Sequence, residues 1–315
     1  MKIIIPVAGR GTRVQPHSYS KPKPMIRVAG KRAIDFLIEQ MLPLNPEECI
    51  IVTDPRNDKS FKEYLPKRFP DIKFNFAIQE KQIGTAHVIY MAEKFVQPNE
   101  EIFILFCDTI LHHNLSRIGE LKQFNDGVML VKEVEDYKRF GVVLHNNRIM
   151  TGIIEKPDEP ISKLANIGAY YIKDGYSFIQ NYVKKIIDED IRVKGELFLT
   201  EAFSMMIKDG KKIYVEDVDL WLDVGKIETV LETNAALLKG GVFRGENVVI
   251  ENSTIRENVS IAENTKVIGC NIENSIIGAN THLEGLTIKD SIIGDHVILK
   301  RDGTTYNIGD KCSIN

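Results

Sequence analysis

Apolar residues along this chain follow two regimes. Through the first two thirds, short β-branched runs alternate with amphipathic stretches: KIIIPVA (2–8), CIIVTD (49–54), KFNFAIQ (73–79) and EIFILFCD (101–108) have the composition of strands, with helical spacing at 33–42, 58–68 and 85–96. That order predicts a parallel sheet covered by helices on both faces. GVMLVKE (127–133), FGVVLH (140–145), RIMTGIIEK (148–156) and NIGAYYI (166–172) come in closer succession, as hairpins or a subsheet added to the core would. Helices are expected at 175–187, 197–208 and 226–238.

Gly240-Gly241 ends this regime. Beyond it Val249, Ile255, Ile261 and Val267 fall six apart, and Ile272, Ile277, Leu283, Ile288, Ile293 and Leu299 continue at five or six. IENSIIGANTHL (272–283) and IKDSIIGDHVIL (288–299) match at an offset of 16 residues. One aliphatic residue per five or six positions, with Gly, Asn, Asp and Glu between, suits short strands wound into a coil with polar corners. The tail resembles the left-handed β-helix of hexapeptide-repeat proteins; ordinary β-hairpins are the alternative. The expected fold class is therefore α/β, a Rossmann-like mixed and mainly parallel sheet over residues 1–240, followed by a short left-handed β-helix over 241–315.

Composition narrows the function classes. The 315 residues carry a formal net charge of −3, so the chain as a whole does not have the charge of a nucleic-acid or membrane-surface binder. Basicity is instead local: Lys2, Arg10, Arg13, Lys21, Lys23, Arg27, Lys31 and Arg32 all precede the first carboxylate, Asp35. Cys49, Cys107, Cys270 and Cys312 are scattered without metal or redox spacing, and the apolar run at the start is too short for an export signal, so a cytoplasmic protein is expected. The seven histidines form no metal set.

The basic opening contains Gly9-Arg10-Gly11-Thr12-Arg13, directly after a buried-looking strand and where α/β sheets bind ligands. Glycines let backbone N–H groups approach a phosphate, Arg13 adds a fork matched to phosphate oxygens and Lys23 a point charge. A Gly-x-Gly is also an ordinary tight turn; here it lacks the Gly-Lys-Ser/Thr of a P-loop and the third glycine of the dinucleotide fingerprint. The motif continues through Pro16 and Lys23-Pro24. It is followed in order by Gln79 with Gly84-Thr85-Ala86, Asp108, Phe140-Gly141-Val142, Glu155-Lys156-Pro157, Asn166-Ile167-Gly168 and Trp221-Leu222-Asp223-Val224-Gly225. This ordered set resembles the signature of the sugar-phosphate nucleotidyltransferases over residues 1 to about 238, and most of all that of glucose-1-phosphate thymidylyl- and uridylyltransferases with a C-terminal β-helix.

The resemblance implies in-line attack by a sugar-1-phosphate oxygen on the α-phosphorus of a nucleoside triphosphate, dTTP or UTP favoured, with release of pyrophosphate. It assigns Arg13, Lys23, Asp108 and Lys156 to catalysis, and Gly9, Gly11, Thr12, Gln79, Gly84 and Thr85 to the nucleotide. Gly141, Glu155, Lys156 and Asn166 go to the sugar phosphate, and Asp108 with Asp223 to Mg²⁺. The residues themselves leave other readings open: an aspartate after a strand is commonly a turn or cap residue, and Glu155-Lys156 reads as a charged strand end. Adjacent strand residues also point to opposite faces, so both reach one pocket only if the chain bends there, with Pro157 the expected source. Gln79 can match the edge of uracil or thymine through its amide, and Gly84 leaves room for a base. Relatives commonly have glycine before the first aspartate, where this chain has Cys107.

A homo-oligomer is expected, with no nucleic-acid or membrane partner. His282 and His296 lie in the repeats, but the tail is short for an acyltransferase, and assembly or regulation is its expected role. The alternatives are a guanylyl- or adenylyltransferase on mannose- or glucose-1-phosphate, and a catalytically silent nucleotide-sugar-binding paralogue.

Overall fold

The computed structural model describes residues 1–300, 307–310 and 313–314. Contacts divide the chain into two units, Met1–Gly9 with Leu37–Trp221, and Arg10–Phe36 with Leu222–Asn315.

The first unit is organised by a nine-stranded mixed sheet of β1 (Lys2–Pro6), β2 (Glu48–Thr53), β3 (Lys73–Ile78), β4 (Ile102–Leu105), β5 (Gly127–Glu133), β6 (Gly141–Asn146), β7 (Ile149–Glu155), β8 (Leu164–Ile172) and β9 (Ile213–Asp217). The spatial order is β3-β2-β1-β4-β8-β5-β9-β7-β6. β1 pairs in parallel with both β2 and β4, so every residue of Lys-Ile-Ile-Ile-Pro is buried and the strand reads as a continuous apolar run. β3 lies at the edge and alternates instead. From β1 the chain steps outward to β2 and β3, then returns to β4 on β1's other side. β1 and β4 thus flank a topological switch point, the place where such sheets bind ligands beyond their carboxyl ends.

The closely spaced later runs join this same sheet. β8 is antiparallel to β4 and β5, and β6 and β7 form the antiparallel hairpin at the far edge. β9, in KKIYVED, has no expectation from periodicity, because it is short and flanked by lysines; its Ile213 and Val215 are buried where it runs parallel to β5. Helices α1 (Asp58–Arg68), α2 (Thr85–Tyr90) and α3 (Thr200–Lys208) lie within the expected segments, α2 ending six residues early and α3 starting three residues late.

In the second unit the repeats form a coil. Val242–Arg244, Val259–Ile261, Ile276–Ile277, Ile292–Ile293 and Asn307–Ile308 make one parallel sheet. Val249–Glu251, Lys266–Ile268, His282–Glu284, Ile298–Lys300 and Ser313–Ile314 make a second, and Thr254–Ile255, Asn271–Glu273 and Thr287–Lys289 a third. The 16-residue offset is the pairing register: Ile272 lies beside Ile288, and Leu283 beside Leu299. Asn258, Asn264, Asn274 and Asn280 turn the corners with φ from +42° to +57°, a region in which asparagine is among the few tolerated side chains. One position departs from the expected column. Val249 is 43% exposed and Ile250 turns inward, since the first coil pairs at an offset of 17 (Ile250 beside Val267) and the side-chain alternation shifts by one.

Helix α4 (Ile227–Leu238) belongs to this unit and carries the fully buried Asn234. Its Oδ1 accepts from the Ala29 amide and the Ser260 hydroxyl, each at 2.9 Å, while its Nδ2 donates to the Asn258 carbonyl at 2.9 Å. One amide therefore ties α4, the basic N-terminal segment and the coil together. Asn234→Leu leaves three partners unsatisfied, and at about 1–3 kcal/mol for a buried orphan the unfolding free energy is expected to fall by ~3 kcal/mol or more, measured by urea denaturation.

Candidate active site

In the first unit, Ala8-Gly9 follows β1, Gln79 follows β3, and Phe106-Cys107-Asp108 follows β4, so all three groups lie beyond the carboxyl ends of parallel strands. β8 enters antiparallel, with Ala169 beside Leu105, which places Asn166 beyond the end of β4 on the same rim. The Gln82 side chain donates to the Ala8 carbonyl, and the Gln79 amide donates to Thr53 O at 2.8 Å, which ties the Gln79 loop to the ends of β1 and β2.

Gln79 is buried, with its side-chain nitrogen 2.9 Å from His87 Nδ1. Burial pushes the His87 pKa below its ordinary value, against a smaller upward pull from a hydrogen bond to the Lys81 carbonyl, so the ring is neutral at pH 7. A neutral imidazole donates through one nitrogen and accepts through the other. The Gln79 side chain and the His87 ring are thus joined by one hydrogen bond.

Gly84 has φ +140°, and a Cβ there would lie 2.2 Å from the Leu197 carbonyl oxygen. The space a side chain would take is thus filled by the Leu197 backbone, so on this side glycine serves close packing of two chain segments and leaves no room for a base. Ala86 N donates to Leu197 O at 2.9 Å, and the Leu199 amide donates to the Thr85 hydroxyl at 2.8 Å.

The residues expected around a sugar phosphate come together. A Cβ on Gly141 would lie 2.9 Å from Glu155 Oε2, 3.1 Å from Thr200 Cγ2 and 3.5 Å from Asn166 Nδ2. Glu155 pairs with Gly141 across the β6–β7 hairpin, and the Thr200 hydroxyl donates to Glu155 Oε2 at 3.2 Å. Asn166 Oδ1 accepts from Gly168 N (2.9 Å) and the Tyr170 hydroxyl (2.6 Å), so its amide nitrogen is turned toward Gly141. Burial pushes the Tyr170 hydroxyl pKa up, and the charges of Glu155 and Asp108 add to the rise, placing both carboxylates in its neighbourhood.

The bend needed to bring Glu155 and Lys156 into one region is present, but it comes from Lys156 itself and not from Pro157: β7 stops at Glu155, and Lys156 has φ +45°. Its amide donates to Phe140 O at 3.0 Å, its carbonyl accepts from Lys194 Nζ at 2.7 Å, and its ammonium lies 4.5 Å from the centre of the Phe198 ring. Those contacts offset the roughly 1–2 kcal/mol that the left-handed conformation costs a residue with a Cβ. His87, Tyr170, Phe198 and Thr200 escaped the sequence reading because each becomes relevant only through a neighbour distant in the chain.

The second unit carries the rest of the motif set. Gly11 has φ +63°, and a Cβ there would lie 3.1 Å from both Lys23 Cβ and Ser18 Cβ, so Gly11 and Lys23 are packed side by side. The Ser18 hydroxyl donates to the Gly11 carbonyl at 2.8 Å. Thr12 and Arg13 are exposed on this loop. Asp223 accepts from Gly225 N at 2.7 Å through Oδ1, and its carbonyl accepts from the Thr233 hydroxyl at 3.1 Å. Asp108 lies in the first unit and Asp223 in the second.

A family model described as nucleotidyl transferase matches residues 2–240, about three quarters of the chain. The chain belongs to the nucleotidyl transferase family. Among curated members, the bifunctional sugar-1-phosphate nucleotidylyltransferase/acetyltransferase of Sulfurisphaera tokodaii is 29% identical over 270 residues, covering 85% of this chain and 63% of that protein. A bifunctional protein GlmU of Methanococcus maripaludis is 32% identical over 84% of this chain and 61% of its own length. The chain thus spans about three fifths of these relatives. The UTP–glucose-1-phosphate uridylyltransferase AglF of Haloferax volcanii is 28% identical over 71% of this chain and 91% of its own. Among solved structures, a UDP-glucose pyrophosphorylase complexed with UDP-glucose superposes with a TM-score of 0.65 at 24% identity, over 76% of this chain and 98% of the other, a likeness of fold. Among the described residues, no helix of this family member is long and apolar enough to cross a membrane.

Glu155 provides a test of the cradle that needs no substrate. Burial pushes its pKa above the ordinary carboxylate value, outweighing Lys156 and the Thr200 hydroxyl, which pull it down. The folded chain then holds this proton more tightly than the unfolded one, and stability is lost as pH rises from the unfolded value through the folded one. Glu155→Gln, which has no charge to hold out of water, is therefore expected to raise the melting temperature at pH 7. The difference should vanish by pH 4, read by scanning calorimetry at both pH values.

Proposed function

We propose that the chain transfers a nucleoside monophosphate from UTP or dTTP to a hexose 1-phosphate, glucose 1-phosphate in the first instance, forming a nucleotide sugar and pyrophosphate. The observation that carries this reading is the segment Leu197–Thr200. Its Leu197 and Leu199 backbone groups meet Gly84, Thr85 and Ala86, while Phe198 and Thr200 meet Lys156 and Glu155. One stretch of chain thereby joins the motif suited to a base and the motif suited to a sugar phosphate within a single unit, in a chain whose family model is that of nucleotidyl transferases.

Chemically, the obstacle is bringing two polyanions together, so positioning and charge neutralisation carry the rate. Lys156, its ammonium set against the Phe198 ring, holds the sugar phosphate, and Glu155, Asn166 and the Gly141 backbone receive sugar hydroxyls. Arg13, Lys23 and the Gly9–Thr12 amides take the triphosphate and the leaving pyrophosphate. Asp108 and Asp223 suit Mg²⁺, which takes one or two carboxylates and completes its shell with water and phosphate oxygens. When bound, the ion neutralises charge on the phosphates. The sugar-phosphate oxygen attacks the α-phosphorus directly, and no covalent enzyme intermediate is required.

Pyrophosphate release by the purified chain, assayed over a panel of nucleoside triphosphates and sugar 1-phosphates, tests the reading. Asp108→Asn and Lys23→Ala are each expected to lose at least ~10²-fold in kcat, the scale of one transition-state contact. Lys156→Ala should weaken the KM for the sugar phosphate most. Near-wild-type rates in all three would remove the mechanism. The orientation of Gln79 by His87 makes a separate prediction: His87→Leu frees the amide to turn over, and the preference for UTP over CTP is expected to fall about tenfold, or ~1.4 kcal/mol, with turnover of UTP little changed.

A further inference from the structure

The basic segment Arg10–Phe36 is grouped with the coil, and its partners run along one edge of the coil in order. A Cβ on Gly30 would lie 2.4 Å from the Phe243 ring, and Ala29 is tied through Asn234 to Ser260. Arg27 Nη2 meets Glu263 at 2.6 Å. Lys21 Nζ lies 2.6 Å from Asp295 and 3.1 Å from Asp310, the Ser20 hydroxyl donates to Asp310, and Pro16 packs against Gly309. Positions 30, 29, 27, 21, 20 and 16 thus descend past coil positions 243, 260, 263, 295, 310 and 309.

The coil's register explains the match. Ile261, Ile277 and Ile293 are paired in successive strands, with Ile308 next. Two residues after each come Glu263, Ala279, Asp295 and Asp310, one corner column that is acidic at three of its four positions. Asp295 uses both oxygens: Oδ1 accepts from Ala279 N at 2.8 Å, and Oδ2 from Lys21. Asp310 Oδ1 similarly accepts from Asp295 N at 2.7 Å. Lys21 and Asp310 have side-chain exposures of only 19% and 8%, so the pair is screened less than surface charges are. Burial pushes Asp295 up, but Lys21, the Ala279 amide and Arg27 outweigh it and hold the carboxyl below its ordinary value.

We propose that Lys21 is a positioning residue for the nucleoside triphosphate, and that the corner carboxylates Asp295 and Asp310 are the mould on which the phosphate-binding loop is shaped. The inference rests on the proposed role of Gly9–Lys23 in holding the triphosphate. Lys21 lies two residues before Lys23, which in turn packs on Gly11. Anchoring Lys21 fixes both before any ligand arrives, and a loop ordered beforehand loses less entropy on binding. The coil then sets nucleotide affinity without touching the nucleotide, and Lys21, neutralised by two carboxylates, is not one of the phosphate's own cations.

The test uses the full chain with Lys21→Met, Lys21→Arg and Asp310→Asn. Hydrogen exchange of amides 10–25 without substrate reads the mould independently of activity, and steady-state kinetics with UTP and glucose 1-phosphate reads its consequence. In Lys21→Met and Asp310→Asn, exchange is expected to rise at least tenfold and KM for UTP about tenfold. KM for glucose 1-phosphate should stay within twofold and the melting temperature within a few degrees, with Lys21→Arg restoring most of both losses. Unchanged exchange overturns the mould, whatever the wild-type activity. Raised exchange with unchanged KM for UTP overturns the positioning role, as do equal rises in both KM values. A wild-type chain that turns over no nucleotide, yet shows the exchange change, leaves the mould standing and overturns both the proposed function and the positioning role that rests on it.

Discussion

The first unit depends on one approach of backbone to backbone. At Gly84 there is no space for a Cβ because the Leu197 carbonyl occupies it, and on either side the two segments exchange hydrogen bonds through Ile83, Ala86 and Thr85. Residues separated by more than a hundred positions are thereby held in fixed register. From that register Phe198 reaches the Lys156 ammonium and Thr200 the Glu155 carboxylate. A side chain at position 84 would push these segments apart and, with them, the two halves of the proposed site.

The cradle around Gly141 follows the usual exchange of stability for function. A carboxyl held out of water and a lysine in the left-handed region are each arranged at some cost to the fold. What they share is orientation: Asn166 presents nitrogen, and Glu155 presents oxygen. In the same way His87 holds the Gln79 side chain by a hydrogen bond. The placement of these polar groups is thus set by their neighbours in the fold.

In the second unit the β-helix is more than a repetitive appendage. Asparagines turn several of its corners and link one coil to the next, and carboxylates stand where the basic loop lies against it. The same side chains stitch one coil to the next and the coil to the loop, so the stack's regular rise becomes a ruler for the loop's shape.

The sequence by itself determined eight of the nine strands of the sheet, most of the helices, the mixed α/β class and the 16-residue coil repeat, because each of these is written in local periodicity and burial demands a fixed register. It also nominated Glu155 and Asn166, whose side chains the fold brings to Gly141. Only the tertiary structure decided that Lys156 and not Pro157 makes the bend, that Ile250 and not Val249 faces the coil's interior, and that the short strand β9 completes the sheet. It likewise brought His87, Thr200 and Phe198 to the motifs and grouped the basic loop with the coil. The physical reason is the same each time: a backbone dihedral, a one-residue offset in register or a contact across a hundred residues leaves no periodic trace in the chain, since its energy comes from a partner that only folding supplies.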